Sequence, residues 1–146
     1  MEKVRLGIIG MGNMGNGHLR SIMKGECPRI EVTALADTDP EKLKKAGESF
    51  GAAALFDTPE ALMDSGLVDA VLIAVPHYDH PRIAIEAFIR GLHVMTEKPA
   101  GVFTRQVREM NEAAANSDVK FAIMFNQRAD PIYAKAREIV SSGGLG

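Results

Sequence analysis

Two kinds of segment take turns along this chain. Short apolar runs occupy Leu6 to Ile9, Ile30 to Ala36 with Asp37 at its end, Ala52 to Phe56, Val68 to Val75, Leu92 to Met95 and Phe121 to Phe125. Their length suits strands, and Val68 to Val75, apolar almost throughout, is what a parallel strand covered on both faces requires. Between the runs, apolar residues recur at helical spacing. They predict helices from Met14 to Lys24 (Leu19, Ile22, Met23), Pro40 to Phe50 (Leu43, Ala46, Phe50), Thr58-Pro59-Glu60 to Met63, Asp79 or His80 to Arg90 (Ile83, Ala87, Phe88), Thr104 to Asn116, and Pro131 to Val140. Asp39, Thr58 and Thr104 read as caps, with proline following the first two, while Gly51 and Gly91 read as helix ends.

Strands alternating with helices imply right-handed crossovers, hence an α/β fold: a doubly wound parallel sheet of Rossmann type, six strands in the order 3-2-1-4-5-6. Ligands of such sheets bind beyond the carboxyl ends of the strands, near the point where strand order reverses. The predicted rim holds Gly10 to Gly15, Asp37, Pro76 and His77, Glu97 and Lys98, and Asn126 and Arg128.

The chemistry concentrates in Gly10-Met11-Gly12-Asn13-Met14-Gly15, between a buried strand and a helix start. Gly10 permits a tight turn, Gly12 lets the backbone approach a pyrophosphate, and Gly15 lets the helix pack on the sheet, with helix amides facing phosphate oxygens. Asp37, ending the second strand about twenty residues on, suits the adenosine ribose hydroxyls. Its charge would oppose a 2′-phosphate, which favours NAD over NADP. Together these predict a dinucleotide-binding domain.

Composition narrows the rest. The chain has 146 residues, 46% hydrophobic and 25% charged, with a formal net charge of -2, as expected of one globular domain with a real core. Without a basic stripe, nucleic acid or anionic membrane is a poor partner, and a small molecule a better one. No run is long enough to span a bilayer and none resembles a leader, so a cytoplasmic location is expected. The single cysteine, Cys27, excludes an internal disulfide or a multi-cysteine metal site. His77 and His80 form a His-x-x-His pair, but without further placed ligands they read as a turn residue and a helix-start residue, and no metal is expected.

Several motifs together resemble the amino-terminal domain of the glucose-fructose oxidoreductase, inositol dehydrogenase and MocA (Gfo/Idh/MocA) family. They are the glycine turn, Ala36-Asp37, Val75-Pro76 with His80, the specific triplet Glu97-Lys98-Pro99, and Asn126 through Pro131. The resemblance implies that Gly10, Gly12, Asn13 and Met14 hold the pyrophosphate of NAD and Asp37 its adenosine ribose. It implies that Val75, Pro76 and His80 meet the middle of the cofactor, that Glu97 and Lys98 sit by the nicotinamide ribose and substrate, and that Asn126 and Arg128 sit at a domain junction.

The resemblance further implies hydride transfer with a sugar, inositol or related polyol, Lys98 serving as the catalytic residue that stabilises alkoxide charge. Members of the family carry a second, substrate-binding domain. Residues 1–128 would then be the NAD-binding domain and 129–146 the last helix and the start of a connection, with the proton acceptor lying beyond. An uncovered apolar face would favour a homo-oligomer. Two other functions fit the same residues: a glycosidase that uses NAD transiently, and a non-catalytic NAD(H)-binding module.

Overall fold

A computed structural model describes residues 2–51 and 53–145. Six strands, β1 (Val4–Ile9), β2 (Ile30–Ala36), β3 (Ala54–Phe56), β4 (Ala70–Ile73), β5 (His93–Thr96) and β6 (Phe121–Ile123), form one sheet in the order β3-β2-β1-β4-β5-β6. Every pairing is parallel. The helices are α1 (Asn13–Met23), α2 (Pro40–Phe50), α3 (Pro59–Asp64), α4 (His80–Ile89), α5 (Thr104–Ala115) and α6 (Pro131–Ser141), with a 3-10 turn at Asn126–Ala129. The expected fold and strand order are those observed.

Side chains that alternate along the strands build two cores, because successive residues of a strand face opposite sides of the sheet. Ile9, Ala36, Val71, Ile73 and Val94 join Leu62, Ile83, Ala87, Phe88 and Met110 in one. Leu6, Ile8, Leu35 and Leu72 join Leu19, Leu43 and Ala46 in the other. The second side is less fully covered. Over β4 to β6 it leaves Met95 and Met124 only partly buried, along an apolar groove of about 420 Å³ that Ile22, Leu72 and Ala122 also line. Helix α6 is exposed along its whole length, including Ile132 and Val140.

Two of the expected caps form as hydrogen bonds. Asp39 accepts from the amides of Glu41 and Lys42, and Thr58 accepts from the amide of Ala61. Thr104 does not cap its helix: Phe103 holds the cap position, extended, and Thr104 is already the first helical residue. A hydroxyl inside the first turn has passed the position from which it can reach the free amides. The strands are also shorter than the apolar runs. Val75 and Phe125 lie past the last paired residues of β4 and β6, because apolar character persists into the turns that line the cleft. Ala52, expected to begin the third strand, and the side chain of Phe50, expected on the apolar face of α2, lie outside the described residues.

Candidate functional site

The glycine turn follows from backbone constraints. Gly10 has φ +97°, and a Cβ there would lie 2.6 Å from the carbonyl oxygen of Ala74, so only glycine lets β1 turn this close to the end of β4. A Cβ on Gly15 would collide with the Gly10 carbonyl. Gly12 differs, since a Cβ there would meet nothing within 4 Å. The protein itself does not exclude a side chain at position 12, which leaves an incoming ligand as the reason for keeping the space open.

Gly12 is also the N-cap of α1, with no side-chain cap and no acid in the first turn. The helix therefore presents free amides and its positive end to the cleft. Asn16 braces the turn from behind, its side-chain amide donating to the carbonyls of Met11 (2.6 Å) and Gly12 (3.1 Å).

Asp37 is tied into the same turn. Its Oδ2 accepts the Met11 amide at 2.6 Å and its Oδ1 accepts the Asp39 amide at 2.8 Å. Each carboxylate oxygen can accept more than one donor, so both keep acceptor capacity for ribose hydroxyls. Next to it, Asp39 is held below the usual carboxylate range by the Lys42 side chain and the first amides of α2.

A cleft of about 430 Å³ brings together Gly10, Gly12, Asn13, Met14, Asp37, Val75 and Pro76. Thr38, Asp39 and Lys42 also line it, and nothing in the glycine fingerprint pointed to Lys42. An open glycine, uncapped amides and an oriented acid fit an adenine dinucleotide.

The remaining candidates occupy other positions. Lys98 is exposed after β5 and takes part in none of the ion pairs among the described residues. Glu97 is turned inward and is 4% exposed. Its Oε1 lies 2.6 Å from Nε2 of His18 on α1, and its Oε2 accepts the Lys98 amide at 3.2 Å. The adjoining Lys98-Pro99 peptide is cis.

His80 is 1% exposed, with Nδ1 2.8 Å from the Pro99 carbonyl oxygen and Nε2 2.9 Å from that of Val75. Both ring nitrogens thus face the backbone, and the ring joins the turn after β4 to the turn after β5. His77 stacks on Tyr78 instead, so the two histidines do not share a site. Asn126 and Arg128 stand exposed on the 3-10 turn, where Arg128 borders an open cleft against α6 with Tyr133 and Arg137. Sequence reasoning passed over His18, whose only signal is its place three residues after Gly15 on the helix leaving the turn.

No helix among the described residues is long and apolar enough to cross a membrane. No group of three or more His, Cys, Asp or Glu among them could hold a metal ion.

Known proteins share this arrangement. The MocA rhizopine catabolism protein of Rhizobium meliloti is 31% identical over all of this chain, and the match covers 45% of that protein. Inositol 2-dehydrogenase of Arthrobacter sp. is 33% identical over 99% of the chain and 43% of its own length. Among solved structures, scyllo-inositol dehydrogenase from Lactobacillus casei with bound NAD(H) and scyllo-inositol superposes with a TM-score of 0.91. Its sequence is 26% identical, over 99% of this chain and 43% of that one. The chain thus spans less than half the length of the curated relatives it matches. The model of an oxidoreductase family with an NAD-binding Rossmann fold, GFO_IDH_MocA, matches residues 4–125. With the glycine turn, the oriented aspartate and the reversal of strand order at β1 all in that span, the chain belongs to the Gfo/Idh/MocA oxidoreductase family and forms its NAD-binding Rossmann domain.

Proposed function

We propose that this domain serves an NAD-dependent dehydrogenase acting on a secondary alcohol of an inositol, a sugar or a related polyol. The observation that carries the reading is Lys98: an exposed ammonium, outside any ion pair among the described residues, at the end of β5 and flanked by a buried acid that bonds its backbone. Bound NAD supplies the hydride acceptor. In this reading the amides at the start of α1 hold the pyrophosphate, Asp37 accepts the adenosine ribose hydroxyls, and Val75 and Pro76 wall the middle of the cleft. Lys98 faces the substrate hydroxyl and stabilises negative charge on its oxygen as the proton leaves. The proton acceptor lies outside this domain.

Residues 1–128 form the cofactor domain in this reading, and 129–146 lead towards a substrate domain. Its place of action is the cytoplasm, and it works as a homo-oligomer. The inositol 2-dehydrogenase relative supports the polyol class. The test is NADH formation by the full gene product against a panel of inositols and hexoses. Lys98→Met should lower turnover about a hundredfold or more, the usual loss for one preorganised donor, while NADH affinity changes little. Turnover close to wild type would exclude Lys98 from the chemistry.

A further inference from the structure

The Lys98 ammonium makes no ion pair among the described residues, yet the backbone around it is held from both sides. Towards β5, Glu97 Oε2 accepts the Lys98 amide, while Glu97 Oε1 is bonded to His18 Nε2. On the far side, the Pro99 carbonyl meets His80 Nδ1. The Glu97 side chain is 6% exposed and that of His18 20%. A buried carboxylate is costly unless donors satisfy it, and the His18 ring supplies one of the two donors that the Glu97 side chain has among the described residues.

His18 belongs to α1, the helix whose amino end faces the pyrophosphate site, and Glu97 belongs to the turn that carries Lys98. The bond between them joins the helix that follows β1 to the turn that follows β5. We propose that His18 is a positioning residue: by holding Glu97, it fixes the Lys98 backbone relative to the helix that binds the cofactor. Without the ring nitrogen, Glu97 keeps a single backbone donor and turns towards water. A carboxylate released from the ring beside Lys98 captures the charge meant for substrate.

The proposal rests on the catalytic reading of Lys98, and its test separates the two. The full gene product is compared as wild type, His18→Leu and His18→Gln, since a glutamine amide can still donate where Nε2 does. His18→Leu should lower kcat by about tenfold to a hundredfold, the scale of an ångström-sized misplacement, with NADH affinity within about twofold and substrate KM little changed. His18→Gln should recover most of the loss. The same proteins, reductively methylated with carbon-13, report the Lys98 dimethylammonium resonance, identified by its absence in Lys98→Arg. It should move in His18→Leu and return in His18→Gln.

An unmoved Lys98 signal in His18→Leu, or a glutamine variant that behaves as leucine does, overturns the proposal. A parallel loss of NADH affinity also overturns it, because His18 would then act on the cofactor site itself. If Lys98→Met turns over like wild type, the catalytic reading fails, and the resonance alone decides whether His18 positions the lysine. Should His18→Leu not fold, His18→Ser carries the same comparison.

Discussion

Replacing Asp37 with asparagine removes one charge and one acceptor and changes little else. The native carboxylate accepts the Met11 amide on one oxygen and the Asp39 amide on the other. An asparagine side chain has one acceptor oxygen and one NH2 group, so one of those amides must face another donor. Hydrogen bonds to charged groups contribute roughly 1.5–3 kcal/mol. At this half-buried position about 1–2 kcal/mol should be lost, and at roughly 2–4 °C per kcal/mol the melting temperature falls by about 2–8 °C.

The same change lifts the opposition to a 2′-phosphate. Like charges 4 Å apart at an effective dielectric of 20 repel by about 4 kcal/mol. Solvent at the open cleft reduces this to about 2 kcal/mol, a factor of roughly thirty in relative affinity. Lys42 remains in the cleft to meet the phosphate. Titration calorimetry with NADH and NADPH, paired with thermal unfolding, reads both effects. If Asp37→Asn melts at the wild-type temperature, the two amide bonds do not hold the turn. If its preference for NADH is undiminished, the carboxylate does not select the cofactor.

The roles of Gly15 and Gly12 in the glycine turn separate by alanine substitution. Gly15→Ala forces a methyl group against the Gly10 carbonyl and should cost about 3 kcal/mol or more in unfolding free energy, near the upper end for overpacking. Gly12→Ala meets no neighbour and should cost only about 1 kcal/mol of stability, the usual penalty for alanine at an N-cap, yet weaken NADH binding about tenfold or more, equivalent to 1.4 kcal/mol; unchanged affinity would mean that the pyrophosphate does not lie over Gly12. Arg82, Arg90 and Arg5 hold Glu60, Asp64 and Asp69 below the usual carboxylate range, as Lys42 does Asp39. A depressed folded pKa stabilises fully above the unfolded value, about pH 4, and this stability is lost as pH falls through the folded values. Acid titration of the urea midpoint should therefore decline below about pH 4, less steeply in Arg90→Ala. Ending the chain after Asp130 removes α6, which has no buried residue, and should move the unfolding free energy by no more than about 0.5 kcal/mol; a larger loss would show that α6 supports the sheet.

The sheet and the glycine turn were legible because local constraints govern them. Short continuous apolar runs, glycine at a positive φ and an aspartate at a strand end leave their mark within a few residues. The Lys98 turn was not legible in the same way. Glu97 and Lys98 are neighbours beyond a buried strand, and sequence alone places both on the rim. Which of them turns inward depends on His18, which lies 79 positions away. His80 shows the same limit. Its place at a helix start was readable, but its second carbonyl partner comes from Pro99, across a crossover. Thr104 was misjudged for a smaller reason: its helix begins one residue earlier than its hydroxyl suggested.

Of the strands in this sheet, the first in chain order lies in the middle, with β2 on one side of β1 and β4 on the other. That order lets the sheet grow outward in two stages as the chain leaves the ribosome. Once Phe56 has emerged, β3, β2 and β1 can associate, but β1 then forms an open edge until Ala70–Ile73 arrive. That edge carries Leu6, Ile8 and Ile9, all buried in the finished domain. An open apolar strand edge is a template for pairing with another chain. Nascent or truncated chains that stop before Ile73 thus expose a sticky centre rather than a sticky margin, and chaperone capture or inclusion-body formation should concentrate on products of that length.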